Sequence, residues 1–206
     1  MNEDAHTPEA VLEFWFAGAR DDAAAMHTRN AVWYQSKPAF DAEIGSRFGA
    51  LVTAAERGEL KLWKLTAAGT LALILICDQF PRNIHRATPR AFACDLRAQV
   101  LARDGVALGI DREFGIAERS FFHLPFEHAE DRAAQAQSLV CYTTLHGEAP
   151  PAWHAFSADA LHWSRDHHDT IARFGRFPHR NLILDRDSTA DELAWLAAHS
   201  NSYGQG

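Results

Sequence analysis

Apolar residues recur along this chain at intervals of three and four. The clearest series is Phe40, Ile44, Phe48, Leu51 and Ala55, which falls on one face of a helix. The punctuation agrees with that period. Thr7-Pro8-Glu9 sets a cap, a first-turn proline and an acid before Val11, Leu12, Trp15 and Phe16, and Gly18 stands where such a segment would end, which predicts a first helix over about 8–17. By the same reasoning Pro38 opens a second helix closed by Gly58. Thr66 opens a third that stops before Pro81, and Thr88-Pro89 opens a fourth that ends near Gly105. Glu113 to Phe122, Phe126 to Leu145 and Ala152 to Phe174 read as further helices. Ser188-Thr189 with Asp191 and Glu192 caps a last one through Leu193 and Leu196, which makes eight.

The one segment that competes as a strand is the apolar run Leu71 to Cys77. Only Ile74 and Ile76 in it are β-branched, the cap at Thr66 precedes it, and no second run exists to pair with it, so helix is the better reading. The fold class expected is all-α, with successive antiparallel helices joined by short turns as a bundle or as stacked pairs. No strict repeat of about 33 to 45 residues is readable, so any stacking would be irregular.

Composition narrows the setting. With 206 residues, 47% hydrophobic and 23% charged, the chain suits a single all-helical domain over 1–206, its core at about 8–200 and a C-terminal tail at 201–206. The formal net charge of -7 disfavours a nucleic-acid coat or an anionic membrane surface as partner. The longest wholly apolar run, seven residues from Leu71 to Cys77, is far short of the roughly 20 needed to cross a bilayer. The acidic start Met1-Asn2-Glu3-Asp4 is unlike a secretory signal, and the widely spaced Cys77, Cys94 and Cys141 suit a reducing cytoplasm.

Arginine is distributed unevenly. Of 20 basic residues only Lys37, Lys61 and Lys64 are lysines, and eight arginines lie in just two stretches, residues 78–97 and 173–186. Each stretch carries a similar turn, Phe80-Pro81-Arg82-Asn83 and Phe177-Pro178-His179-Arg180-Asn181. In each, the proline is expected to break a helix, the phenylalanine to anchor in the core, and the Arg and Asn to fall at a helix end, where backbone groups lie unpaired. Should the two turns converge, Arg82 and Arg180, with Arg176 and His179, would line a pocket for an anion, since the guanidinium fork suits carboxylates and phosphates. A plainer account stands beside this one. Asp78 and Asp95 are spaced to neutralise neighbouring arginines as inter-helix struts, and Asn83 and Asn181 suit local capping.

A third polar cluster, Glu127-His128-Ala129-Glu130-Asp131, follows Leu124-Pro125-Phe126, read as a turn, with His123 just upstream. Acid and imidazole together could move protons, although acids in a helix's first turn are also favoured by its dipole. Twelve histidines invite a metal reading, but no His-Glu-x-x-His, no helical His pair four apart and no paired Cys motif is present. Adjacent His167-His168-Asp169 point different ways around a helix, so no metal site is expected. Nor does a nucleophile elbow, a phosphate loop or a dinucleotide fingerprint occur, and no cofactor can be named; Cys77 belongs to the core. Most of the six tryptophans are core or groove lining, with Trp33-Tyr34, near an Asn30 loop, placed to edge a cleft.

Five ordered motifs carry a resemblance. Glu13-Phe14-Trp15-Phe16, Asp78-Gln79-Phe80-Pro81-Arg82-Asn83, Thr88-Pro89-Arg90-Ala91-Phe92-Ala93, Leu124-Pro125-Phe126-Glu127-His128 and Arg173 through Asn181 together resemble the bacterial domain-of-unknown-function family numbered 924, over about residues 8–200. The resemblance implies a tetratricopeptide-like right-handed α-α superhelix and supplies no reaction. Cys94 stands where a threonine or similar small residue is expected, away from the arginine-bearing turns.

Two functions remain open at this point. In the first, a pocket holds a small anionic carboxylate or phosphate metabolite. Arg82, Arg90, Arg176 and Arg180 grip it with Asn83 and Asn181 beside them, and in an enzymatic version Asp78 or Glu127 orients His179 or His128 as general acid or base. In the second, stacked helices present a groove to an acidic peptide or a partner protein, and the same arginines clamp a carboxylate terminus without catalysis.

Overall fold

The computed structural model describes residues 6–34 and 38–199; the N-terminal motif at 1–4, Lys37 and the tail at 201–206 lie outside the described residues. The described chain is helical throughout. Its nine α-helices are α1 (Pro8–Phe16), α2 (Ala23–Tyr34), α3 (Pro38–Glu56), α4 (Ala67–Ile84), α5 (Asp95–Ala107), α6 (Ile116–Glu127), α7 (Arg132–Glu148), α8 (His154–Phe174) and α9 (Ala190–Ala198).

Several ends form as the sequence dictates. Thr7 and Thr66 accept backbone N–H bonds from Ala10 and Gly69, and Thr189 and Glu192 cap each other's backbone at the start of α9. Gly58 and Gly175, both with φ above +70°, close α3 and α8 in the left-handed conformation.

Helix α4 is the axis of the fold. It is buried from Gly69 to Pro81 and packs against α1, α3, α5 and α6, as a helix apolar on all sides must. Around it Trp15, Phe80, Phe121 and Trp33 interlock, with Trp15 5.5 Å from Phe80, 5.6 Å from Phe121, and Trp33 4.5 Å from Phe121 between ring centroids. Consecutive helices from α3 to α8 are in contact pair by pair, an order compatible with tetratricopeptide-like stacking. Among the described residues no helix is long and apolar enough to cross a membrane.

The departures from expectation are local. Helix α2 was not predicted, because Ala23-Ala24-Ala25-Met26-His27-Thr28 shows no apolar stripe. Neither Pro81 nor Pro125 breaks its helix: α4 continues three residues beyond Pro81, and Pro125 lies inside α6. A proline costs a helix one N–H bond and crowds the carbonyl four residues back, and here dense packing on every side of both segments outweighs that loss. Leu124-Pro125-Phe126 is therefore not a turn. Glu127 is the last residue of α6, and Asp131 caps α7 by accepting from the Ala134 N–H. Glu127, Glu130 and Asp131 thus share no first turn, and the dipole account does not cover Glu127, which sits at the unfavourable end. Pro89 opens a single 3-10 turn, Pro89–Phe92, and a second such turn, Pro151–Trp153, precedes α8. Gly105 is no stop signal. It is buried within α5, where a Cβ would lie 2.4 Å from the Phe122 Cζ of α6, so the two helices approach to a distance only glycine permits.

Candidate functional site: an arginine and histidine floor beneath a cavity

The two Phe-Pro corners meet at one carboxylate. Arg82, in the last turn of α4, donates from Nη1 and Nη2 to Asp95 Oδ1 and Oδ2 at 2.8 and 2.9 Å, and Nη1 also donates to the Asp78 carbonyl at 2.6 Å. The same nitrogen is 3.2 Å from Asp78 Oδ1. Arg180 reaches Asp95 from the 3-10 turn Pro178–Arg180, its Nη1 3.6 Å from Oδ2. The Arg180 guanidinium stacks on Phe92 and Phe177, 4.7 and 4.5 Å from their centroids, and its buried Nε has no hydrogen-bond partner among the described residues. Burial, and then the nearby charge of Arg82, pull its pKa down to about 10, which leaves it a cation at neutral pH.

Behind the arginines lies a buried acid and imidazole pair. His128, which follows α6, places Nδ1 2.8 Å from Asp78 Oδ1, and Gln79 donates to Asp78 Oδ2 at 2.6 Å. Burial would raise the Asp78 carboxyl, but Arg82 and His128 outweigh it and hold it below the usual carboxylate range. Burial lowers the imidazole of His128 against the pull of Asp78. The pair therefore stands as an ionised Asp78 accepting from the Nδ1–H of a neutral His128. Glu127 is the opposite case: burial first, then the Asp78 charge, push its carboxyl well above the ordinary range. His167 of α8 brings Nδ1 to 3.5 Å from Glu127 Oε1 while donating to the Trp163 carbonyl at 2.9 Å. Burial pulls His167 down to about 3, with His128 adding to the effect. His179 falls to about 2 through burial and then Arg180. The floor thus brings the guanidinium groups of Arg82 and Arg180 together with the carboxyl groups of Asp78, Asp95 and Glu127 and three imidazoles whose pKa values burial lowers.

Above this floor is a cavity of about 780 Å3. Its walls are α2, through His27, Asn30 and Trp33, and α8, through Phe156, Trp163 and His167. Trp33 edges the cavity as expected, with its indole N–H donated to the Trp15 carbonyl at 3.1 Å, although Asn30 lies within α2 and not on a loop; the Tyr34 side chain is outside the description.

Six of the residues singled out from sequence line the cavity: Arg82, Asn83, Glu127, His128, His179 and Arg180. Asp78 stands one layer behind His128. Asn83 spends its amide on Asp41 Oδ1 at 2.7 Å. Three others are not brought to the cavity. Arg90 is half exposed and paired with Glu56 at 2.8 Å, and Arg176 is paired with Glu192 at 2.6 Å. Asn181 is buried between Ser188 and Arg186. Each of these three has a carboxylate or hydroxyl partner of its own on a neighbouring segment. Sequence reasoning missed Phe92, His167, Tyr142 and the double role of Asp95. The spacing of Phe156, Ala160, Trp163 and His167 on one face of α8 was the available signal for the second of these. Among the described residues no three His, Cys, Asp or Glu side chains are grouped to hold a metal ion.

Residues 11–200 match the model of a family described as bacterial protein of unknown function (DUF924), and the chain belongs to that family. It is also similar to the solved structure of a protein of unknown function from Agrobacterium tumefaciens. The identity is 35%, the TM-score 0.78, and the match covers 93% of this chain and 97% of that one. No curated protein matches the chain.

Proposed function

We propose that this protein binds a small anionic metabolite on the cavity floor, with Arg180 as the principal anchor, and exchanges a proton with it through His128. The observation that carries this reading is the state of Arg180. It is a buried cation facing a ligand-sized cavity, 3.6 Å from a carboxylate that Arg82 already occupies with two shorter bonds. Arg82 is saturated and acts as the support. Because Asp78 holds the Nδ1–H of His128, the lone pair of Nε2 is the one available to a ligand, and the imidazole acts as a base. Glu127, whose carboxyl burial pushes well above the ordinary range, serves as the acid, so that one group removes a proton from the ligand and the other returns one. A cavity of this size suits a metabolite better than the side of a peptide. The free, buried Cys77, Cys94 and Cys141 suit the cytoplasm.

The test is a thermal-shift series with acetate, phosphate and larger carboxylates on the native chain and on Arg180→Gln. A ligand at one hundred times its Kd adds about 2.7 kcal/mol, so the native protein should melt several degrees higher while the variant does not respond. Equal shifts in both would remove Arg180 from the site. No shift with any small anion, alongside retention of a peptide with a free C-terminal carboxylate, would replace this reading with peptide binding.

A further inference from the structure

Resting on that reading, we infer that the ligand is a monocarboxylate with an elongated apolar body, its carboxylate on Arg180 and its tail laid along α8. Helix α8 contributes one continuous face to the cavity, with Phe156, Ala160, Trp163 and His167 on it. At 1.5 Å per residue the span from His167 to Phe156 is about 16 Å. The His167 end belongs to the charged floor, 3.5 Å from Glu127 and with its ring 6.3 Å from that of His128. Away from that end the face turns aromatic and small. Ala31 and Trp33 of α2 and Leu124 of α6 line the same cavity. Along α8 the lining is thus polar at the His167 end and, Asp159 at the mouth aside, apolar from Trp163 to Phe156, with His27 and Asn30 of α2 also lining the cavity; this suits an amphipathic anion better than a compact one.

Charge selects the head group. Arg82 donates to Asp95 and to the Asp78 carbonyl, Arg86, which also lines the cavity, is paired with Asp41, and Arg180 carries a buried Nε with no hydrogen-bond partner among the described residues, so the floor accommodates one negative charge better than two. A planar carboxylate also matches a single guanidinium fork. Charge selects the tail as well. Asp159 lies between Phe156 and Trp163 on the lining face of α8, exposed at the mouth, where it would repel a second anionic group. The far end of the ligand is accordingly uncharged.

Calorimetric titration of the full chain with acetate, butyrate, hexanoate and octanoate tests this. Affinity should rise about fourfold per added methylene as the tail enters the track. Octanedioate, with a charge at each end, should bind at least tenfold more weakly than octanoate, and Asp159→Asn should narrow that gap. Ala160→Trp should abolish the gain with length and leave acetate binding intact. If that variant does not fold, the native length series and the Asp159→Asn comparison still decide. A flat length series with acetate still bound would overturn the track and leave the anion site standing. Tighter binding of octyl phosphate than of octanoate would overturn the choice of head group. Binding of none of these carboxylates or of octyl phosphate would remove the anion site and the track together.

Discussion

The two Phe-Pro corners share a sequence pattern and differ in almost everything else. In the first, Phe80-Pro81-Arg82-Asn83 stays helical, and Arg82 is enclosed by two carboxylates and a carbonyl. In the second, the chain has left α8 at Gly175 and turns through Pro178–Arg180, so Arg180 arrives at Asp95 after its oxygens are already engaged. A buried cation with dedicated acceptors is a strut, and on the proposed reading one that must share its acceptor is available to a ligand. Identical side chains thus differ in how well a shared acceptor satisfies them: Arg82 takes both Asp95 oxygens at 2.8 and 2.9 Å, and Arg180 stands 3.6 Å from one of them.

The largest effect expected from breaking this asymmetry is on Arg82. Arg82→Ala leaves Asp78 and Asp95 buried beside too little positive charge and should cost about 3–5 kcal/mol, read as a fall in the denaturant midpoint. The next is confined to the second corner, the one with a titrating residue. The folded pKa of His179 is depressed to about 2 from an ordinary 6.5, so its contribution is present above about pH 6.5 and is lost as the pH falls toward the folded value. Between pH 7.5 and 5.5, His179→Gln should therefore lose about 1.4 kcal/mol less stability than the native chain, as measured by urea unfolding at the two pH values. Glu127, whose shift is upward, opposes this in both proteins, which is why the difference and not the total is the readout. Smaller still, Arg180→Gln should change stability by no more than about 1 kcal/mol in either direction while abolishing anion binding, because it removes an incompletely paired charge and leaves the Arg82–Asp95 pair whole. If it unfolds the protein as Arg82→Ala does, the two corners are equivalent and the comparison fails. Arg90→Ala comes last: a half-exposed pair with Glu56 contributes about 0–1 kcal/mol, and ligand affinity should not move.

Much of the helical order was legible because caps act locally: Thr7, Thr66 and Thr189 each mark a helix start and each bonds as a cap should. What was not legible depends on partners distant in sequence. Pro81 and Pro125 signal breaks by local rules, and only the packing around α4 and α6 overrules them. Helix α2 lacks a periodic stripe of its own and is fixed by Trp33 against Trp15 and Phe121. At the site, the pairing of Arg82 with Asp78 was readable from spacing, while the repeated motif raised the convergence of the two corners only as a condition that spacing could not decide. The choice of His128 over His179 as the partner of Asp78 was not readable, because 50 residues separate that pair. The same holds for Arg90 and Glu56 and for Arg176 and Glu192, whose partners lie too far along the chain for spacing to reveal.

The missing side chain at Gly105 reaches further than its own helix. Phe122 fills the space a methyl group would take, so α6 is keyed to α5 with no slack along that seam, and α6 carries Glu127 and leads directly into His128. The segment that carries Glu127 and His128 is thus fixed against α5. On the proposed reading, any widening of the cavity to admit a ligand is expected from its walls α2 and α8 and not from this seam.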